Sequence, residues 1–403
     1  MKGASPSAIR RTNRSVVLRA LRAAESSSMS ALIRRTGISR RTLEAIVAEL
    51  AAQGWVDIIE PAASVARTAG RPARDYRFNA RAAYVLAIQL DVDSVAVSLA
   101  DLVGVTMHED RTRTSARVTW DERLRLVSDM TRAVLSAADV RPEWVIAATA
   151  STPGIVRDSG EVDLPSSQST WSGINLAYEL EQTLGRPIHV ENDAKLAAVG
   201  ERTAGAEPSD ETFVWVRADG GRLGVGVIID GRLHRGQDGA AGEIVWARAL
   251  TAESLTPYVT SGLLDPARAR PEGTEDVAAL ARTGDPSARA EVRRLAASLA
   301  PAIAALSWVL APQRIVLGGS LSRISDLLIP ELTESFTADG RALPSTIVGS
   351  NLGERAVLTG AIRRSLDHVE EDLLSPDVDL GTAPVLALAS GEPQTASGEP
   401  SSG

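Results

Sequence analysis

The charge of this 403-residue chain is divided between its two ends. Residues 1–81 hold 15 Lys and Arg against 6 Asp and Glu, a net of +9, whereas the remainder holds 28 against 45, a net of −17. A chain divided in this way reads as a basic head on an acidic body. The head suits a polyanion that the body repels. A solvated basic tail would carry the same charge, so the head must show a motif before the charge means more. The composition, 44% apolar and 23% charged, is that of a globular protein. Cysteine is absent, which excludes disulfides and thiolate metal sites, and the four histidines lack zinc-motif spacing. The first residues, MKGASPSAIRRTNR, contain no apolar signal segment. The apolar run over residues 295–312 contains Pro301 and reads as a buried helix rather than a membrane span. A cytoplasmic location is expected, with no membrane partner.

The head carries a motif. Val16, Val17, Leu18 and Leu21 share one side of a helix that Asn13 would cap. Met29, Leu32 and Ile33 form a second apolar set before Thr36, Gly37 and Ile38, and Gly37 suits the tight turn between crossed helices. Ser39 then offers an N-cap to a third helix, in which Leu43, Ile46, Val47 and Leu50 repeat at helical spacing. Gly54 ends it, and residues 55–59 and 71–78 read as the strands of a wing. This is a winged helix-turn-helix over residues 1–81. In that geometry the turn Ser39, Arg40, Arg41, Thr42 faces the major groove. Arginine there can donate two hydrogen bonds to guanine, although phosphate contact is an equally common use. Arg71, within Ala69-Gly70-Arg71-Pro72, fits either a minor-groove arm or the wing turn.

From Tyr84 the pattern becomes α/β, with strands at 84–91, 95–100 and 144–150, a helix over 121–138, and a turn at Ser151-Thr152-Pro153-Gly154. The scheme then recurs. Residues 188–190 lead into Glu191-Asn192-Asp193-Ala194 and a helix through Gly200, and residues 213–216 and 224–229 form a hairpin-like pair. Alternation of this kind places ligands at the carboxyl ends of strands.

Thr152-Pro-Gly, Glu191-Asn-Asp-Ala, the run GVGVIIDGRLHRGQDGAAGE from Gly224 to Glu243, and Pro312-Gln-Arg-Ile-Val-Leu-Gly-Gly occur in order. Together with the head, over roughly residues 10–367, these motifs make the chain resemble the regulator branch of the ROK family (repressors, open reading frames and sugar kinases). The resemblance implies a two-lobed, actin-like ATPase fold with a sugar cleft between the lobes. In family repressors the cleft senses a sugar and the head binds operator DNA. The implied domains are a head at 1–81, an N-terminal lobe at 82–188 with a last helix near 355–368 packing back on it, and a C-terminal lobe at 189–354. Residues 370–403, rich in Pro, Gly, Ser and acids, read as a disordered tail.

Departures from the family are as informative. Where family kinases have an Asp-x-Gly-Gly-Thr phosphate loop, this chain has Asp91-Val92-Asp93-Ser94-Val95. Without glycine the backbone cannot approach a triphosphate, and Asp93 adds repulsion. In the second loop Arg222 stands where the family has glycine. The family's zinc His and cysteine cluster are missing, and Thr256 aligns with an acidic sugar contact. No ATP, no metal, no other cofactor and no catalysis are therefore expected.

By the resemblance the remaining sugar-binding candidates are Asn192, Asp193, Glu243, Trp246 and Ser167, the last near the family's sugar-contacting Asn. In the kinases the aspartate matching Asp193 is the base; here it would only bind, or it would merely cap the helix that follows. Glu243 reads as a sugar contact or a lobe-packing carboxylate, and Trp246 as a stacking ring or a filler of the lost metal site. The expected function is a DNA-binding regulator of carbohydrate genes, a homodimer or homotetramer on double-stranded operator DNA, with a sugar effector. A kinase carrying a DNA-binding head, or a regulator whose cleft has stopped binding sugar, are the alternatives.

Overall fold

The computed structural model describes residues 6–60, 74–115, 117–164, 171–205, 211–219, 222–244, 247, 255–264, 276–338, 342–373 and 381–385. The head is built from α1 (Pro6–Arg22), β1 (Ser27–Ser28), α2 (Met29–Thr36), α3 (Arg40–Ala52), β2 (Val56–Ile59) and β3 (Asp75–Phe78). Its strands form an antiparallel sheet in the order β1-β3-β2. Helix α1 begins at Pro6, so Asn13 lies inside it and is not its cap. The correction has a local cause: proline suits a first turn, and the Ala and Arg that follow favour helix. Val17, Leu18 and Leu21 pack with Leu32, Leu43, Ile46 and Leu50, the apolar positions that the periodicity marks out.

The first body sheet has the order β10-β7-β4-β5-β6. It is formed by β4 (Tyr84–Leu90), β5 (Ser94–Asp101), β6 (Thr106–Arg113), β7 (Val145–Thr152) and β10 (Ile188–Asn192). The short pair β8 (Ile155–Val156) and β9 (Val162–Asp163) follows the turn at Gly154. Helices α4 (Trp120–Ala137), α5 (Leu176–Leu184) and α6 (Asp193–Ala204) connect the scheme.

The second sheet has the order β13-β12-β11-β14-β15. Its strands are β11 (Phe213–Asp219), β12 (Arg222–Ile229), β13 (Arg232–Leu233), β14 (Arg314–Gly319) and β15 (Thr346–Gly349). Around it lie α7 (Thr256–Thr260), α8 (Val277–Thr283), α9 (Pro286–Leu310) and α10 (Ser325–Ala338), and α11 (Ala356–Leu373) follows β15. Among the described residues α9 alone is long and apolar enough to cross a membrane. Its Val292, Leu295, Leu299 and Ile303 are buried in the core of this lobe, as the sequence reading of a buried helix requires.

Helices α6 and α11 cross between the two sheets. Leu358 and Ile362 of α11 pack with Val85 and Ala147 of the first sheet, while Ala194 and Ala198 of α6 pack with Trp215 and Ile228 of the second. The crossing is set by two glycines. A Cβ on Gly360 would lie 1.7 Å from the Leu196 carbonyl oxygen, and one on Gly200 would lie 2.1 Å from that of Ala356. Backbone cannot yield there as a flexible side chain would. Gly360→Val should therefore destabilise the protein by about 2–3 kcal/mol, the upper range for overpacking, seen as a lower urea midpoint.

Head and body share one apolar core, which runs from Leu18 and Trp55 through Ala82 and Leu102 to Leu366 and Val369 of α11. At the end of α11, Glu370 pairs with both Arg22 of the head and Arg363. Disorder from residue 370 onward is corrected in two places. Helix α11 continues to Leu373, and residues 381–385 lie against the base of the wing. Trp55 Nε1 donates to the Gly381 carbonyl at 3.0 Å, and the Ala383 amide donates to the Gln53 carbonyl at 2.7 Å. Tail composition is that of a linker, but it leaves a few residues that satisfy buried polar groups of the head.

Candidate functional site

At the head, Ser39 has extended backbone (φ −60°, ψ 146°) and its hydroxyl accepts the Thr42 amide at 3.3 Å, the N-cap the sequence calls for. Gly37 closes α2 at φ 69°, which fixes the sharp turn into α3. Arg40 and Arg41 are both exposed, yet they differ. Arg40 Nε donates to Glu44 one turn along at 2.8 Å, whereas Arg41 makes no hydrogen bond or ion pair among the described residues. Arg71 lies outside the described residues.

The body's candidate residues meet where β10 runs into α6. Asn192 ends the strand and caps the helix: its Oδ1 accepts the Lys195 amide at 3.0 Å. Its Nδ2 donates to the Gly154 carbonyl at 2.9 Å, across the parallel pairing of Asn192 with Thr152. Asn192, not Asp193, is thus the helix cap, and the capping role is removed from Asp193. The turn at Gly154 is braced from behind, because buried Trp171 donates to the Thr152 hydroxyl at 2.9 Å.

Asp193 is the first residue of α6 and is buried. Its Oδ1 accepts the Ala194 amide at 2.6 Å and its Oδ2 accepts Arg217 Nη1 at 2.8 Å. The other arm of Arg217 lies 3.8 Å from Asp91. One guanidinium therefore sits between Asp91, which opens the segment matching the family's phosphate loop, and Asp193, which matches the kinases' base. Burial pushes the Asp193 carboxyl above its ordinary range, and the Arg217 charge opposes that rise. A carboxylate whose oxygens are engaged by an amide and a guanidinium is poorly placed to take a proton from a sugar hydroxyl.

Arg217 is a site residue that the sequence motifs do not single out. Its signal is a lone cation inside the apolar strand Phe213-Val-Trp-Val-Arg-Ala. The expected obstruction by Arg222 concerns a side chain outside the described residues; its backbone pairs with Asp219 at the tip of the hairpin. The loop after β4 is also pinned. Fully buried Arg123 of α4 donates to the Asp91 carbonyl at 2.7 Å and to that of Val92 at 3.0 Å, and it stacks on Trp171. A cleft of about 120 Å³ opens beside Asp91, Asp93, Arg217 and Gly319, and Arg111 and Arg113 of β6 contribute to its lining.

Glu243 is brought beside Asn192 by the turn after β13. Gly242, at φ 83°, lets the chain pass so close to β12 that a Cβ would lie 2.1 Å from the Val225 carbonyl oxygen. Glu243 Oε1 is 3.5 Å from Asn192 Nδ2 and 3.6 Å from Lys195 Nζ. Burial raises the Glu243 carboxyl, and Lys195 pulls it back down. Three of the five sugar-site candidates, Asn192, Asp193 and Glu243, thus converge. Ser167 and Trp246 lie outside the described residues. Thr256 opens α7, and Val259 of that helix, with Leu264 just beyond it, lines the cleft.

The model of the ROK family matches residues 85–254 and 259–365, and the chain belongs to that family. It is 22% identical to a protein of Caldicellulosiruptor bescii named xylose repressor, over 88% of this chain and 95% of that one. The fold is also that of a crystal structure of a ROK family transcriptional regulator described as a homologue of the E. coli MLC protein. That match has a TM-score of 0.66 and 21% identity, and covers 89% of this chain and 97% of the other. A ROK family glucokinase from Streptomyces griseus, solved with glucose and AMPPNP, matches with a TM-score of 0.55 and 23% identity over 70% of this chain and 99% of its own. The regulator match thus takes in more of the chain than the kinase match does.

Proposed function

We propose that this protein is a transcriptional repressor of carbohydrate genes that binds operator DNA through its head and senses a sugar in its body without phosphorylating it. The observation that carries the non-catalytic part is Arg217, held between Asp91 and Asp193. It fills with positive side chain the gap that a phosphoryl donor and a catalytic base would need to share. Asn192 and Glu243 remain as hydrogen-bonding partners for a polyhydroxy ligand, with Asp193 beside them; Ser167 and Trp246 are proposed as further contacts from the sequence alone. A dimer or tetramer in the cytoplasm, with two heads on a palindromic site, fits the small contact surface of a single winged head.

The helices supply a route from cleft to head. Asn192 and Asp193 begin α6, α6 is locked against α11 at Gly200 and Gly360, and α11 ends on Arg22 of the head through Glu370. A ligand that favours one arrangement of α6 shifts the head by as much as its affinities for the two states differ. The experiment is a coupled assay for ADP across a panel of hexoses and pentoses, run beside thermal shift on the same panel. A sugar that raises the melting temperature without ATP consumption is the expected result. Sugar-dependent ADP formation, lost in Asp193→Asn, would overturn the non-catalytic reading.

A further inference from the structure

The chain has 41 arginines and two lysines, Lys2 and Lys195. Lys195 is the buried one: its side chain is 1% exposed. Its Nζ makes no hydrogen bond among the described residues and faces Glu243 Oε1 at 3.6 Å. Lys195 is the one lysine of the acidic body, a compact ammonium where the other Lys and Arg positions there are all the wide, flat guanidinium. Glu243 Oε1 is thus turned inward, toward Lys195 and Asn192 Nδ2, while Oε2 accepts no hydrogen bond among the described residues.

We infer that Lys195 is a positioning residue for Glu243, anchoring one carboxylate oxygen so that the other is presented, ionised, to the hydroxyls of an uncharged sugar. This rests on the sugar-sensing reading above. At 1% exposure, on the inner side of the carboxylate, Lys195 has no open face of its own to offer a sugar acid. The other charged groups facing Glu243 are Asp193 and Asp163, both of which oppose its ionisation, and Lys195 alone of these favours it.

The test uses full-length Lys195→Met, Glu243→Gln and the double variant, unfolded thermally between pH 5 and 8 without ligand. Glu243 sits above its unfolded value, so the stability it contributes is present at low pH and is lost as pH rises through the folded value. Removing Lys195 raises the folded value further. The melting temperature of Lys195→Met should therefore fall more steeply with pH than that of wild type, and Glu243→Gln in the same chain should abolish the extra slope. If Lys195→Met alone does not fold, recovery of folding in the double variant gives the same answer. An equal cost of Lys195→Met in the wild-type chain and in the Glu243→Gln chain, at every pH, would overturn the inference. In parallel, binding of D-xylose and D-glucose is titrated across the same pH range. In Lys195→Met the binding profile is expected to move upward in pH, with the loss of affinity largest at the low end of the range and smallest at pH 8. Unchanged affinity and profile would also overturn it. If wild type binds neither sugar, the sensing reading fails for those sugars, and the unfolding cycle still decides the Lys195–Glu243 pairing.

Discussion

With Arg40 and Arg41 both changed to alanine, the protein is expected to lose its sequence preference and to keep only weak, salt-sensitive DNA binding. Each bidentate contact to a base contributes about 1–3 kcal/mol of discrimination, so the pair accounts for a loss of at least about 30-fold. The structure divides the two. Arg40 is already held by Glu44 on its own helix, whereas Arg41 is exposed and uncommitted among the described residues. Arg41→Ala alone should therefore carry most of the effect. A site selected by the wild-type protein from a random DNA pool, titrated by fluorescence anisotropy at several salt concentrations, provides the measurement. Weaker binding to all sequences with preference intact would mean that these arginines touch phosphate only.

Asp193→Ala should destabilise the fold before it says anything about sugar. It leaves Arg217 buried without the Asp193 carboxylate, with Asp91 at 3.8 Å. Breaking a buried pair in this way costs about 3–5 kcal/mol, and the second aspartate places the loss near the lower figure. Chemical denaturation should also show that Asp193→Ala with Arg217→Met recovers much of it, because both charges are then gone. A loss in the double variant equal to the sum of the singles would show that the pair is not coupled. For probing ligand response, Glu243→Gln is the cleaner substitution, since it keeps the volume and leaves the Asp193–Arg217 pair in place.

Much of this arrangement is readable from the chain because local rules act alone there. Ser39 caps α3 by its own hydroxyl, and the alternation from Tyr84 onward needs no partner to be recognised. The motif around Asn192 and Asp193 also marks where the candidate residues meet. What sequence cannot give is the pairing of residues far apart in the chain. Asn192 and Asp193 are adjacent, and only the meeting of α6 with β11 assigns the cap to one and the Arg217 ion pair to the other. The docking of residues 381–385 under Trp55 is a contact across 326 positions, which no periodicity announces. Asn13 fails as a cap for a different reason: a good capping residue is also tolerated within a helix whose flanks favour it.

A sugar held at Asn192 and Glu243 is proposed to change how the head binds DNA, with no phosphoryl transfer. The most direct measurement is operator affinity of the full-length protein with and without the sugar that raises its melting temperature, in the presence and absence of ATP. A change of about 5–150-fold, the ordinary range for a coupling of about 1–3 kcal/mol, is expected. It should be independent of ATP and absent in Glu243→Gln. An affinity that the sugar leaves untouched, or that changes only when ATP is present and consumed, would contradict the account.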